Sequence, residues 1–140
     1  MPNPAEDLVR TYYAAFNAHD SAAMAALLTD DVAHDPSQGR RRVGRAAFVA
    51  FMVHMDRCYR ERLENLVVLT EPGSTRAAAE FTVHGAYIAT DPGVPAGTAE
   101  ASGQAYVLPA GAFFELRDGR IARISNHYNL EDWVAQVCGR

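Results

Sequence analysis

The spacing of apolar residues changes once along this chain, and that change most restricts what the chain can fold into. Between residues 5 and 59 apolar side chains recur at three- and four-residue intervals, as in Leu8, Tyr12 and Phe16, which is typical of amphipathic helices. From Leu63 onward apolar and polar residues alternate, which is typical of strands with one buried face. Helices followed by consecutive strands predict an α+β domain.

The same pattern predicts where the elements begin and end. Helices are expected over residues 5–18, 20–28, 45–59 and 130–137. Strands are expected in a short segment before Pro36 and over residues 63–70, 76–90, 104–117 and 120–128. Residues 91–103 are rich in Pro, Gly and Ala, so we expect a long hairpin loop that overhangs the mouth of a pocket.

Length, composition and charge exclude several classes of function. The 140 residues are 49% hydrophobic, enough for one domain with a packed core over residues 1–140. The formal net charge is -4, which argues against nucleic acid or an anionic membrane as a partner, because both bind basic surfaces. Arg40 to Arg42 is interpreted as a solvated turn, the alternative being an anion site at a pocket mouth. A signal peptide and a membrane span are not expected, so a cytoplasmic location is predicted.

The sequence does not predict a metal or cofactor site. Cys58 and Cys138 lack the spacing of metal ligands and are interpreted as ordinary side chains. His54 lies off the apolar stripe of its predicted helix, and a metal site would need several ligands that converge. We therefore expect no metal and no cofactor.

Alternation predicts which strand side chains face the helices. Because Glu115 and Arg117 point outward, the residues between and before them at even spacing point inward. Gly85, Ala110 and Ala112 fall on this inner face and are small, which indicates a lined cavity rather than a solid core. The expected substrate-binding wall combines inner-face strand residues with three helix residues. Its members are Phe16, Phe51, Met52, Phe81, Val83, Tyr87, Tyr106, Ala112, Phe114, Ile124 and Tyr128.

Two polar residues are candidates for chemistry inside this wall. Asp35 precedes Pro36 at the end of the segment VAHDP, and Tyr12 lies on the first predicted helix. A carboxylate and a phenol in an apolar interior can accept a proton and donate a hydrogen bond beside a carbonyl group. The alternatives are that Asp35 braces the turn and that Tyr12 is a core aromatic. His34 is expected to face away from Asp35, and His84 and His127 to project outward.

Four segments carry a resemblance to a known superfamily: YYAAFNAHD, LLTDDVAHDP, VGRAAFVAF and FFELRDGRIARISNHYNLEDW. They resemble the NTF2-like superfamily, which includes ketosteroid isomerases, SnoaL-type polyketide cyclases and limonene epoxide hydrolase, and most closely its ketosteroid isomerase-related branch. The resemblance implies a cystatin-like cone of N-terminal helices packed on a curved antiparallel sheet. It also implies a homodimer through the outer face of that sheet.

The resemblance implies roles for individual residues. Asp35 matches the catalytic base of ketosteroid isomerases, and Tyr12 matches their oxyanion tyrosine. The second, protonated acid of those enzymes should fall near Ala112 or Gly111, and neither is an acid. Loss of one oxyanion donor costs about 2.7–4 kcal/mol of transition-state stabilisation. Asn126 on the inner face is expected to replace it as the third catalytic residue, with Tyr128, Tyr87 and Tyr106 as alternatives.

These observations predict a cofactor-independent enzyme that transfers a proton on a small hydrophobic carbonyl compound. Isomerisation, aldol cyclisation and dehydration all fit the expected residues. One alternative is a non-catalytic module in which the same cone holds a ligand. Another is epoxide or ester hydrolysis in which Asp35 orients a water molecule.

Overall fold

The chain forms four helices and six strands in the computed structural model, which describes residues 2–140; Met1 of the predicted domain lies outside them. The elements in chain order are α1 (Pro4–Asn17), α2 (Ser21–Ala26), β1 (Leu28–Asp35), β2 (Arg42–Val43), α3 (Arg45–Cys58), β3 (Tyr59–Thr70), β4 (Arg76–Tyr87), β5 (Gln104–Arg117), β6 (Arg120–Tyr128) and α4 (Leu130–Val137). Within residues 2–140 the helices are too short or too polar to cross a membrane.

Local side-chain chemistry explains where the helices begin. The Asn3 side chain accepts a hydrogen bond from the Glu6 amide at the start of α1, and Pro4 follows it at the first helical position. Asp20 caps α2 as predicted, by accepting from the Ala23 amide at 3.0 Å. Asn129 caps α4 in the same way and so ends β6.

The predicted bounds of β5, β6 and α4 are confirmed to the residue. The other elements begin or end at residues different from those predicted. β3 begins at Tyr59, four residues before its predicted start, because Tyr59 already has an extended backbone where α3 ends. β4 ends at Tyr87, and the two-residue strand β2 was not predicted.

The six strands form one sheet in the order β2-β1-β6-β5-β4-β3. Strands β3 to β6 pair antiparallel, as predicted, but β1 pairs parallel to β6, so the sheet is mixed. A parallel pair needs a long crossover connection, and the chain from α3 to β5 supplies it. Bulges in β3 and between β5 and β6 interrupt the register, and bulges increase the bend of a sheet.

The helices pack on one face of this sheet, which confirms the predicted α+β architecture. α1 contacts β3 and β4, α3 contacts β1 and β3, and α4 contacts β5. Inner residues such as Leu108, Ala112 and Phe114 are buried, whereas Val107 and Phe113 between them are exposed on the outer face.

The sequence predicts that Gly85 borders an empty volume, and this is wrong. An aromatic ring packs directly against Gly85 instead. Gly85 pairs with Tyr106 on β5 and with Glu61 on β3, so the three residues form one row across the sheet. A Cβ atom at position 85 would overlap the Tyr106 ring. The missing side chain therefore lets this ring cross β4 toward β3.

Asp35 lies on the outer side of β1, which corrects the prediction that it faces the interior. The Arg41 guanidinium donates to both of its carboxylate oxygens at 2.7 and 3.0 Å, and Arg123 on β6 donates to Oδ2 at 3.0 Å. Val32 and His34 occupy the buried positions of the alternating strand, which leaves Asp35 on the opposite side. Chiefly through the Arg41 hydrogen bond, and also that of Arg123, the pKa of Asp35 is lowered from 3.8 to about 2.

We predict that Asp35→Asn lowers stability in a pH-dependent way. A depressed pKa in the folded state contributes stability above pH 4 that is lost as the pH falls through 2. The free energy of unfolding of the variant should therefore be about 1 kcal/mol lower than that of the wild type at pH 7. This difference between the two proteins should disappear near pH 2. Denaturant titrations at several pH values measure this, and an equal difference at pH 7 and pH 2 would contradict the assigned ion pairs.

Candidate functional site

Tyr12 faces the interior but does not meet Asp35 there. It is buried on α1, with its ring centroid 5.0 Å from that of Tyr13 and 5.9 Å from that of Phe114, both in edge contacts. Burial raises the pKa of the Tyr12 hydroxyl, so it stays protonated. Because Asp35 lies on the outer side of β1, these two residues do not form the predicted acid–phenol pair.

Glu61 and Tyr106 form a carboxylate–phenol pair in the interior. The Tyr106 hydroxyl donates to Glu61 Oε2 at 2.6 Å, reaching it across Gly85. Desolvation raises the pKa of Glu61, and the hydrogen bond from Tyr106 opposes this only in part. Burial, together with the Glu61 carboxylate, raises the pKa of Tyr106 far above neutral pH. Glu61 is therefore a proton acceptor made more basic by its surroundings, and Tyr106 is a permanent donor.

Sequence reasoning missed Glu61 although a signal was present. It lies two residues before Leu63, a buried residue of β3, and so shares its face. The helical spacing of α3 continues to Tyr59, which placed residues 60–62 outside any predicted strand. Tyr106 was identified as an inner residue, but its partner was not.

A second polar network surrounds Asp91, directly beside this pair. The Tyr59 hydroxyl donates to Asp91 Oδ2 at 2.7 Å, and the Asp91 amide donates to the Tyr87 hydroxyl at 2.9 Å. The Tyr59 and Tyr87 rings stack with centroids 5.4 Å apart, and Trp133 contacts both of them as well as Tyr106. This network fixes the aromatic wall next to Glu61.

His54 joins the network from α3. Its Nε2 lies 3.1 Å from Asp91 Oδ1, and the Cys58 thiol completes a group of three ligand-type atoms within 4.8 Å of one another. Asp91 already accepts hydrogen bonds from Tyr59 and from the Gly93 amide. Burial acts to raise the pKa of Asp91, but these bonds and His54 outweigh it, and the net pKa is lowered. The carboxylate therefore serves as a hydrogen-bond acceptor that ties the loop to α3.

Tyr128 lies on the inner face of β6, opposite Ala110, and is 38% exposed. Desolvation raises its pKa to about 12, and the carboxylates of Glu61 and Asp91 contribute to the shift. The phenol is therefore neutral and within electrostatic reach of both acids. Glu61, although it faces the interior, is also partly exposed.

Asn126 faces the interior as predicted and contacts a histidine. Its Nδ2 lies 3.3 Å from His34 Nε2, across the parallel pair of β6 and β1. The prediction that Asp35 takes the inner position made His34 an outer residue, and this is wrong, because His34 is 2% exposed. The alternation starting from Val32 would have predicted the inward position.

The predicted wall residues all fall on the inner side but divide into two groups. The following are buried within the core: Met52, Phe81, Val83, Tyr87, Tyr106, Ala112, Phe114 and Ile124. Phe16, Phe51 and Tyr128 are partly exposed. The second group can contact a ligand without repacking the core.

An open groove of about 610 Å³ is lined among others by Asn65, Thr82, Pro109 and His127. Phe81, Ala110 and Tyr128 also line the groove, whereas Glu61 and Tyr106 do not.

Comparison with known proteins identifies the family. The SnoaL-like domain matches residues 9–124. A provisionally assigned polyketide cyclase from Pseudomonas putida is 59% identical, with 95% of this chain and 97% of that chain covered and a TM-score of 0.90. A similarly assigned protein from Xanthomonas campestris is 52% identical, with 96% of both chains covered and a TM-score of 0.89.

A more distant solved structure shares the fold alone. An NTF2-like protein of unknown function from Burkholderia pseudomallei is 17% identical, with 97% of this chain and 98% of that chain covered and a TM-score of 0.81. No curated protein matches the sequence. The matched domain and the two relatives above 50% identity show that this chain belongs to the SnoaL-like family of the NTF2-like superfamily.

Proposed function

We propose that this protein is a cofactor-independent enzyme that moves a proton on a small hydrophobic carbonyl compound, with Glu61 as the proton acceptor. The observation that carries the proposal is the 2.6 Å hydrogen bond between Tyr106 and a desolvated Glu61. A carboxylate of raised pKa is a stronger base than one in water, and general bases work best when their pKa approaches the working pH.

The reaction breaks a C–H bond next to the substrate carbonyl. Glu61 takes the proton on a carboxylate oxygen, and the electron pair of the C–H bond moves into the enolate. Tyr128, which keeps its proton at neutral pH, donates a hydrogen bond to the enolate oxygen. The proton on Glu61 then returns to a different carbon in an isomerisation, or to the new alkoxide once the enolate carbon has attacked a second carbonyl.

Tyr106 acts as a positioning residue in this scheme. Its hydroxyl donates to one Glu61 oxygen and leaves the other oxygen for the substrate. The Tyr106 ring is held in place by packing against Gly85 and Trp133. Phe16 and Phe51 supply apolar surface for the body of the substrate.

The relatives above 50% identity favour cyclisation among these reactions, since both are provisionally assigned as polyketide cyclases. An intramolecular aldol reaction needs a base and a donor for the enolate, and Glu61 and Tyr128 supply these two roles. The two alternative functions, a non-catalytic binding module and a water-activating hydrolase, are the conclusions that a failed exchange experiment would support.

We further propose that two copies of the chain pair through the outer face of the sheet. Val67, Leu69, Val107 and Phe113 are exposed there on β3 and β5, and Phe113 is 55% exposed. Apolar side chains that share one sheet face are typical of interfaces between subunits.

Glu61→Gln should reduce proton transfer while Asp35→Asn should not. The probe is 2-tetralone, whose hydrogens next to the carbonyl exchange with D2O and are followed by proton NMR. We expect the wild-type protein to accelerate this exchange, Glu61→Gln to slow the catalysed rate about 100-fold or more, and Asp35→Asn to change it less than threefold. No acceleration by the wild type, or equal rates for wild type and Glu61→Gln, would support a binding module or a hydrolase.

The pH dependence of the exchange gives a second measurement on Glu61. The rate should rise as Glu61 loses its proton, with a midpoint above the ordinary value of 4.5. Because the Tyr106 hydrogen bond lowers the pKa of Glu61, Tyr106→Phe should move this midpoint to higher pH. A midpoint that stays in place in Tyr106→Phe would assign the titration to another group.

Phe113→Asp should convert a dimer into a monomer, because it places a charge in the apolar outer face. Sedimentation equilibrium at micromolar concentration should give twice the chain mass for the wild type and the chain mass for the variant. Val53→Asp, a change of an exposed apolar residue on α3, is the control and should stay dimeric. A monomeric wild type would overturn the proposed interface.

A further inference from the structure

His34 is a buried titratable residue that the proposed reaction does not use. Its Nε2 contacts the Asn126 amide at 3.3 Å, but its Nδ1 is closed from solvent and lacks a hydrogen-bond partner among residues 2–140. Buried polar atoms in proteins are almost always hydrogen-bonded, so an unpaired one needs an explanation.

The surroundings of His34 keep it neutral and able to donate. The rings of Phe48 and Phe51 lie edge-on to the imidazole at centroid distances of 5.2 and 4.8 Å. Desolvation lowers the pKa of His34 to about 4, with a smaller contribution from Arg42. When the Asn126 amide donates to Nε2, the ring proton is on Nδ1, and Nδ1 is then a free donor.

Access to this group comes from the partly exposed side of the cone. Phe51 and Asn126 touch His34 and are themselves partly exposed, whereas Phe48 is fully buried. The Arg42 guanidinium lies 5.1 Å from the Phe51 ring centroid on the surface. Phe51 is therefore the neighbour that can turn aside at least cost to open a path to the imidazole.

We propose that His34 and Asn126 form a second polar subsite, which binds an oxygen atom of the substrate remote from the carbon that Glu61 deprotonates. The ring N–H of His34 donates to this oxygen. The substrate is then an apolar compound with two oxygen functions, a diketone or a hydroxy ketone. This inference rests on the proposed function, and it accounts for a buried donor that has no other partner.

A purely structural role for His34 makes a different prediction from a binding role. If the imidazole serves packing alone, an apolar side chain of similar size removes an unpaired polar atom and leaves ligand affinity as it was. If the imidazole binds an oxygen, the same change removes the preference for ligands that carry that oxygen.

The test compares equilibrium binding of 2-tetralone with that of its 5-, 6- and 7-hydroxy derivatives, by isothermal titration calorimetry. We expect the wild type to bind one of the hydroxylated compounds about tenfold more tightly than 2-tetralone. In His34→Leu this ratio should fall to about one, and in His34→Gln, which restores an N–H donor, it should recover in part. His84→Leu, the same change at a histidine on the outer face of β4, is the matched control and should keep the wild-type ratio.

These binding measurements test the subsite independently of the proposed proton transfer. Equal affinities for all four compounds in the wild type, or an unchanged ratio in His34→Leu, would overturn the subsite. Proton exchange by Glu61 is measured in a different experiment, so the subsite can fail while the exchange activity stands. Denaturant titration of His34→Leu shows that the variant is folded at the temperature of the binding assay.

Discussion

The hydrogen bond from Tyr106 to Glu61 connects β5 with the edge strand β3, and the proposed chemistry of the interior depends on it. The bond spans three strands, which is feasible because Gly85 on the middle strand leaves room for a ring to lie across it. Burial raises the pKa of Glu61, and the Tyr106 hydrogen bond opposes this shift in part. Gly85 thus determines whether the phenol can reach the proposed base.

Asp35 and Glu61 show how the surroundings separate two similar side chains. Asp35 is held by two guanidinium groups, and its pKa falls to about 2. Glu61 is desolvated with one phenol as its partner, and its pKa rises. An acid stabilised by two cations is a poor proton acceptor, whereas one in an apolar setting is a better one. The Asp-Pro segment of this chain therefore fits an ion pair that ties β1 to β6 better than it fits a base.

The elements that depend on local patterns could be predicted from the sequence, and the pairing of distant residues could not. Alternation correctly placed Tyr106, Asn126 and Phe114 on the inner face. Counted from Val32, alternation also places His34 there, whereas the prediction that Asp35 faces the interior shifts the strand by one residue. Glu61 and Tyr106 are 45 residues apart in the sequence. Their contact depends on the register of the sheet and on the space that Gly85 leaves for the Tyr106 ring.

The loop between β4 and β5 is part of the site because Asp91, its first anchor, bonds to residues on both sides of the interior. Asp91 receives the Tyr59 hydroxyl from β3 and contacts His54 on α3, while its amide binds the Tyr87 hydroxyl. Further along, the Ala99 amide donates to the Cys138 thiol, and Gln104 bonds to the carbonyl oxygen of Val137 at the end of α4. Since the loop is held at both ends, it forms a fixed wall beside Glu61. The partial exposure of Glu61 itself and of Tyr128 then leaves the base open to solvent away from this wall.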